Sequence, residues 1–139
     1  MERDTPKMSK KAIQAVGKRK TAVARATLLP GTGIIRINKR LLKTLKPQMF
    51  VDMINEPLML AEDTATKVDI NVTVSGGGVQ GQAEAARSAV ARALAEFNKK
   101  LKKTFLDYDR HLIVWDIRTR ETRKPNDSRA RAARQKSYR

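Results

Sequence analysis

From Lys67 to Ser75 the chain alternates without a fault, with Val68, Ile70, Val72 and Val74 on one side and polar residues on the other, the period of a half-buried β-strand. Gly76, Gly77 and Gly78 break that period, and a different one begins at once. Between Val79 and Leu101, residues Val79, Ala83, Ala86, Val90, Ala93, Leu94, Phe97 and Leu101 recur every three or four positions, which predicts an amphipathic helix of about six turns. Ala83, Ala85, Ala86, Ala89 and Ala93 are small enough to let this helix lie close to a sheet. A strand that turns sharply into such a helix therefore calls for helices layered on a sheet.

The flanking segments supply the other elements. Extended, β-branched stretches cover Val16 to Thr21 and Ala22 to Leu29, Pro30-Gly31-Thr32-Gly33 reads as a turn, and Ile34 to Asn38 resumes as a strand, together a long antiparallel hairpin. Lys39 to Lys46 reads as a short basic helix. Gln48 to Leu60 follows as a second helix, with Met49, Phe50, Met53, Ile54 and Leu58 at helical spacing and Pro57 limiting it. His111 to Ile117 reads as a last strand that places Trp115 in the core. The fold class expected is α+β.

Charge is distributed unevenly along the 139 residues. Residues 1–46 carry a net +11, residues 47–98 a net −4 and residues 99–139 a net +9, giving +16 overall. Two basic ends around a mildly acidic middle predict one folded unit with a polarised surface whose basic side meets phosphate. The last eleven residues, Arg129 to Arg139, hold five positive side chains and no acid. Such a segment cannot bury enough apolar surface to offset its ordering entropy, so it is expected to order on a nucleic acid. The expected organisation is a flexible leader at 1–11, a globular RNA-binding domain at 12–123 and an extended basic tail at 124–139. There are no cysteines, which excludes disulfides, thiolate zinc sites and cysteine nucleophiles. The chain shows no signal-peptide pattern and no membrane-length apolar run, so a cytoplasmic protein with no membrane partner is expected.

Lys18, Arg19 and Lys20 with Arg25 form a cluster that reads either as an RNA clamp or as a solvated hairpin face; a charge cluster on a strand is usually solvated, but like charges without acids repel until an anion relieves them, and the family resemblance given below tips the reading to the clamp. Gly76, Gly77 and Gly78, followed by Gly81, precede a helix, where backbone N–H groups can cradle an anion. They do not match the nucleotide-binding loop pattern, and no lysine follows to reach a terminal phosphate, so a sharp turn resting on RNA backbone is the reading favoured. Arg87 and Arg92 read equally as RNA contacts or as salt-bridge partners, with Arg92–Glu96 and Glu96–Lys100 spaced four apart. His111 is the single histidine, and one imidazole with scattered carboxylates makes no metal constellation; Asp107 and Asp109 read as caps. Ser128 and Ser137 lie where no catalytic triad could be held. The expectation is no enzyme, no cofactor and no metal. With six aromatic residues in all, binding through charge and shape is expected rather than base stacking.

Three stretches carry a resemblance to one family: Gly17-Lys18-Arg19-Lys20-Thr21-Ala22-Val23-Ala24-Arg25-Ala26, Gly76-Gly77-Gly78-Val79-Gln80-Gly81-Gln82-Ala83-Glu84-Ala85-Ala86-Arg87, and Gln135-Lys136-Ser137-Tyr138-Arg139. In that order and spacing the chain resembles ribosomal protein S nine, and its ending is similar to the archaeal and eukaryotic branch. The resemblance implies a four-stranded sheet backed by helices, like the second domain of ribosomal protein S five, with a left-handed β-α-β crossover. It implies a structural constituent of the small ribosomal subunit, bound to ribosomal RNA in the subunit head beside neighbouring head proteins. It further implies a tail whose last residues, Lys136, Ser137, Tyr138 and Arg139, touch P-site transfer RNA. Arg118, Arg123, Lys124, Arg129, Arg131 and Arg134 would hold ribosomal RNA on the way there. Where the bacterial branch carries Lys, Tyr138 exchanges a charge for a ring that can stack. An enzyme acting on RNA lacks an acid–base pair here, and a DNA coat leaves the acidic middle unexplained.

Overall fold

The structure is a computed structural model and describes residues 11–132. Strand β1 (Ile13–Arg19) and strand β2 (Ala22–Pro30) pair antiparallel, from Ile13 opposite Leu28 to Arg19 opposite Ala22. Their turn is tight, with Lys20 at φ 53°. The extended run thus folds back at Lys20, which corrects the expected hairpin across Pro30–Gly33. That later turn is tied to a different strand. The Asp69 carboxylate accepts hydrogen bonds from the backbone N–H groups of Thr32 (2.8 Å) and Ile34 (2.9 Å), and the Gly31 N–H donates to the Lys67 carbonyl. The chain is thereby carried across to β3 (Ile35–Ile37), which pairs parallel with β5 (Val68–Ser75).

A two-residue strand, β4 (Arg40–Leu41), pairs with β3, and a 3-10 turn follows at Leu42–Thr44. Lys39 to Lys46 is therefore not a helix. The left-handed residues Asn38 (φ 47°) and Lys39 (φ 69°) turn the chain back on β3 as a tight hairpin does. The sheet has five strands, ordered β1-β2-β5-β3-β4, rather than the expected four. Every second residue of β2 and β5 is buried, from Ala22 to Leu28 and from Val68 to Val74, while Arg25, Asn71, Thr73 and Ser75 stay exposed. Helices cover one face, and the other is open.

Helix α1 (Gln48–Leu60) buries Val51, Ile54 and Pro57; Pro57 does not limit it, because its ring packs into the core and the helix closes three residues later. A short helix, α2 (Glu62–Ala65), leads into β5. Helix α3 begins at Val79 as expected but ends at Phe97. The Asn98 backbone leaves the helix at φ −129°, ψ 101°, and its side-chain oxygen accepts from the Lys100 N–H as a separate helix, α4 (Lys100–Tyr108), begins. This break divides the single helix expected to Leu101 and brings Phe105 to complete burial, worth roughly 1.5–3 kcal/mol for a side chain of that size. The expected strand at His111–Ile117 is absent. Asp109 instead accepts the His111 N–H and opens a 3-10 turn at Arg110–Leu112, and the buried Ser88 hydroxyl donates to the Leu112 carbonyl at 3.4 Å.

Small residues on both sides let α3 lie against the sheet. Ala22, Ala24 and Ala26 of β2 and Ala85, Ala86 and Ala89 of α3 are all buried. Gly17 marks the closest approach, since a Cβ there would collide with the Ala85 carbonyl and the Ala89 backbone. The first glycine of the basic motif is thus a packing requirement.

Candidate nucleic-acid interface

The β1–β2 turn meets the start of α3. Gly76 (φ 79°) and Gly77 (φ 64°) take left-handed backbone that disfavours side chains, and a Cβ on Gly76 would stand 2.5 Å from the Thr21 carbonyl. The triple glycine therefore presses the strand-to-helix turn against the hairpin turn. Around this junction lies a depression of about 330 Å³ lined by Arg19, Lys20, Thr21, Gly77, Gly78 and Gly81, among others. The N-cap residue of α3 is Gly78, which offers no capping side chain, and a helix N-terminus carries the polarity that receives anions.

The basic cluster divides here. Lys18 and Lys20 are exposed, and Arg25 is exposed on the open sheet face opposite Thr73. Arg19 is not free. Its Nε donates to Glu84 of α3 at 2.5 Å, its other arm pairs with Asp116, and only 16% of its side chain is exposed. The central residue of the motif joins the hairpin, the helix and the descending C-terminal chain.

Trp115 is a second fastening and not a core residue. It is 40% exposed, its Nε1–H donates to the Val16 carbonyl at 3.1 Å, and the Arg92 guanidinium lies 4.8 Å from its ring centre while donating to the same carbonyl. Val16 lies on β1, the edge of the sheet, so these groups cover an otherwise open carbonyl. Arg92 is thus engaged by Val16 and Trp115, and Glu96 and Lys100 sit on separate helices. Arg87 pairs with Glu56 of α1 and with Asp109 at 3.0 Å, joining three elements. These two arginines, open to two readings in the sequence, are internal partners in the structure. Partial burial alone would raise the Asp109 carboxyl, but the His111 N–H and Arg87 hold it below the ordinary range.

Beyond Leu112 the described chain holds no helix or strand. Arg118 is largely exposed but forks onto Asp116, whose carboxyl is held well below its usual value by the Arg118 side chain and N–H, with Arg19 adding to the effect. Glu121 accepts from Arg131 at 2.6 Å and from Lys124 at 3.0 Å. Arg123 and Arg129 are exposed and make no ion pair among the described residues. Arg134, Lys136, Ser137, Tyr138 and Arg139 lie outside the described residues.

One group escaped the sequence reading. Lys39, Arg40, Lys43 and Lys46 are exposed around the β3–β4 turn, and none makes an ion pair among the described residues. The available signal was four cations in eight positions with no acid between Arg36 and Val51. None of the described helices is long and apolar enough to cross a membrane.

Residues 17–139 match the family described as ribosomal protein S9/S16. A relative named small ribosomal subunit protein uS9 from Methanococcus maripaludis strain C7 is 45% identical over 133 residues, covering 93% of this chain and 99% of the relative. The protein of the same name from Methanococcus vannielii is 47% identical over the same span and coverage. These relatives are archaeal, in keeping with the branch that the Gln-Lys-Ser-Tyr-Arg ending resembles.

Proposed function

The chain belongs to the ribosomal protein S9/S16 family, and from that premise we propose that it holds ribosomal RNA in the head of the small subunit and reaches P-site transfer RNA with its tail. Membership makes it a ribosomal protein of the small subunit, a structural constituent and not an enzyme. In this reading residues 12–123 are the RNA-binding body, 124–139 are the tail, and the parallel β3-α1-β5 connection is the left-handed crossover of the ribosomal protein S five domain 2-like fold. The body works in the cytoplasm, within the ribosome, among neighbouring head proteins.

The observation that supports this most is the junction at the start of α3. Lys20 stands in solvent at the depression by the start of α3, while Lys18, between Gly17 and Arg19 that face α3, lies with Arg25 on the open face of the sheet. Gly76 and Gly77 close the turn against the hairpin and Gly78 faces open space without a side chain, so an RNA backbone can approach closely there. Arg19 and Arg118 serve as the anchor that sets where the C-terminal chain leaves the body. Arg123, Lys124, Arg129, Arg131 and Arg134 then follow RNA toward Lys136, Ser137, Tyr138 and Arg139.

The test is P-site transfer-RNA binding to small subunits reconstituted with the full chain or with a chain lacking Ser137 to Arg139. One charge-assisted contact supplies roughly 1.5–3 kcal/mol before solvent screening, so affinity should drop while assembly persists. Equal affinity at equal occupancy would leave the terminus without a transfer-RNA role.

A further inference from the structure

A groove of about 410 Å³ opens between β3, the 3-10 turn, α1 and the start of α3. Its apolar wall includes Ile37, Leu45, Phe50 and Val74, and its rim carries Arg40 and Lys46. The volume lies within the range of ligand sites, about 300–1,000 Å³. The platform beside it is fixed: the Asn38 amide donates to the Val74 carbonyl at 3.3 Å and accepts the Val74 N–H at 2.9 Å, which pins the β3–β4 turn to β5. Lys39, Arg40, Lys43 and Lys46 project from this platform into solvent with no described acid paired to them.

We infer that this lobe is a second RNA-contact surface, in which the four cations hold phosphates of a looped RNA segment and the groove receives one unstacked base against Phe50. The inference rests on the ribosomal-RNA reading above and names a subsite within it. Cations clustered without acids are complementary to a polyanion. A half-open apolar recess next to them does not suit a phosphate, which must stay hydrated or hydrogen-bonded, but suits the planar face of a base. Side chains cannot read the deep major groove of an RNA duplex, so a base delivered to this recess must come from a loop or bulge. The fixed turn keeps the cations in place before RNA arrives, which reduces the ordering cost of binding.

The experiment uses the full chain and small-subunit ribosomal RNA containing 4-thiouridine, irradiated and mapped by mass spectrometry, beside equilibrium binding of the Arg40→Glu/Lys46→Glu variant. Both substituted side chains are exposed, so melting should match the wild type. Cross-links on the peptide holding Leu45 and Phe50 are expected, and the variant should lose them and bind about tenfold more weakly at low salt. Cross-links confined to the hairpin and tail, with unchanged affinity in the variant, would overturn the inference and leave the RNA-binding function standing. Cross-linking of Lys39, Lys43 and Lys46 to an acidic protein neighbour in assembled subunits, with no RNA adduct in the groove, would also overturn it. A wild type with no salt-sensitive RNA binding at all would overturn both readings together.

Discussion

The two basic stretches at Lys18–Lys20 and Lys39–Lys46 look alike as sequence and differ in what their charges touch. In the first, Arg19 is withdrawn between Glu84 and Asp116, and only its neighbours face solvent. In the second, all four cations are exposed without an acid partner among the described residues. Whether a cation is available to phosphate is decided by carboxylates far along the chain, here 65 positions away for Glu84. The first stretch commits its central arginine to the body, whereas all four cations of the second face solvent.

The strongest challenge to that contrast is at Gly17. Gly17→Val would force β1 off the α3 backbone, and with little room to adjust it should destabilise by about 3 kcal/mol or more, read from the urea midpoint. A variant as stable as the wild type would mean that α3 is not seated on β1. Arg19→Ala comes next. It leaves Glu84 and Asp116 without their shared partner, so the midpoint should fall by less than for Gly17→Val, and amide exchange at 113–118 should quicken. Lys43→Ala, at an exposed position, should stay within about 0.5 kcal/mol of the wild type. Equal effects at Arg19 and Lys43 would erase the distinction.

Acid should expose the same fastening more gently. Asp69, Asp109, Asp116 and Glu121 are all held below their ordinary values, so on acidification the unfolded chain takes up protons before the folded one. Their contribution is complete above the unfolded carboxyl range, near pH 4, and is lost as pH falls through the lower folded values. Trp115, the single tryptophan, sits on the fastening and reports it by fluorescence. Asp116→Asn should flatten the acid limb of the stability curve; an unchanged limb would mean that Asp116 bears no part of it.

Much of this body is legible in the sequence because period and packing agree there. Val68 to Val74 alternate and are buried in alternation, and the alanines of α3 meet the alanines of β2. The reading failed where a remote side chain decided the outcome. Asp69 captures the Pro30–Gly33 turn and moves β3 to the far side of β5, and Asn98 ends a helix whose apolar spacing runs on unbroken. Trp115 lies in an apolar run, yet Arg92 and the Val16 carbonyl hold it at the surface. The same holds for the candidate site: composition located the basic motifs, while only the spatial arrangement separates the committed Arg19 from the open Lys39–Lys46 lobe.

The central claim is that phosphate contact by the open cations holds this protein on ribosomal RNA. Equilibrium binding to small-subunit ribosomal RNA across a salt series measures it directly. With about six phosphates neutralised, log K should fall against log salt with a slope of roughly −4 to −5, and replacing the four lobe cations by alanine should make the slope shallower. A slope near zero for the wild type would contradict the account.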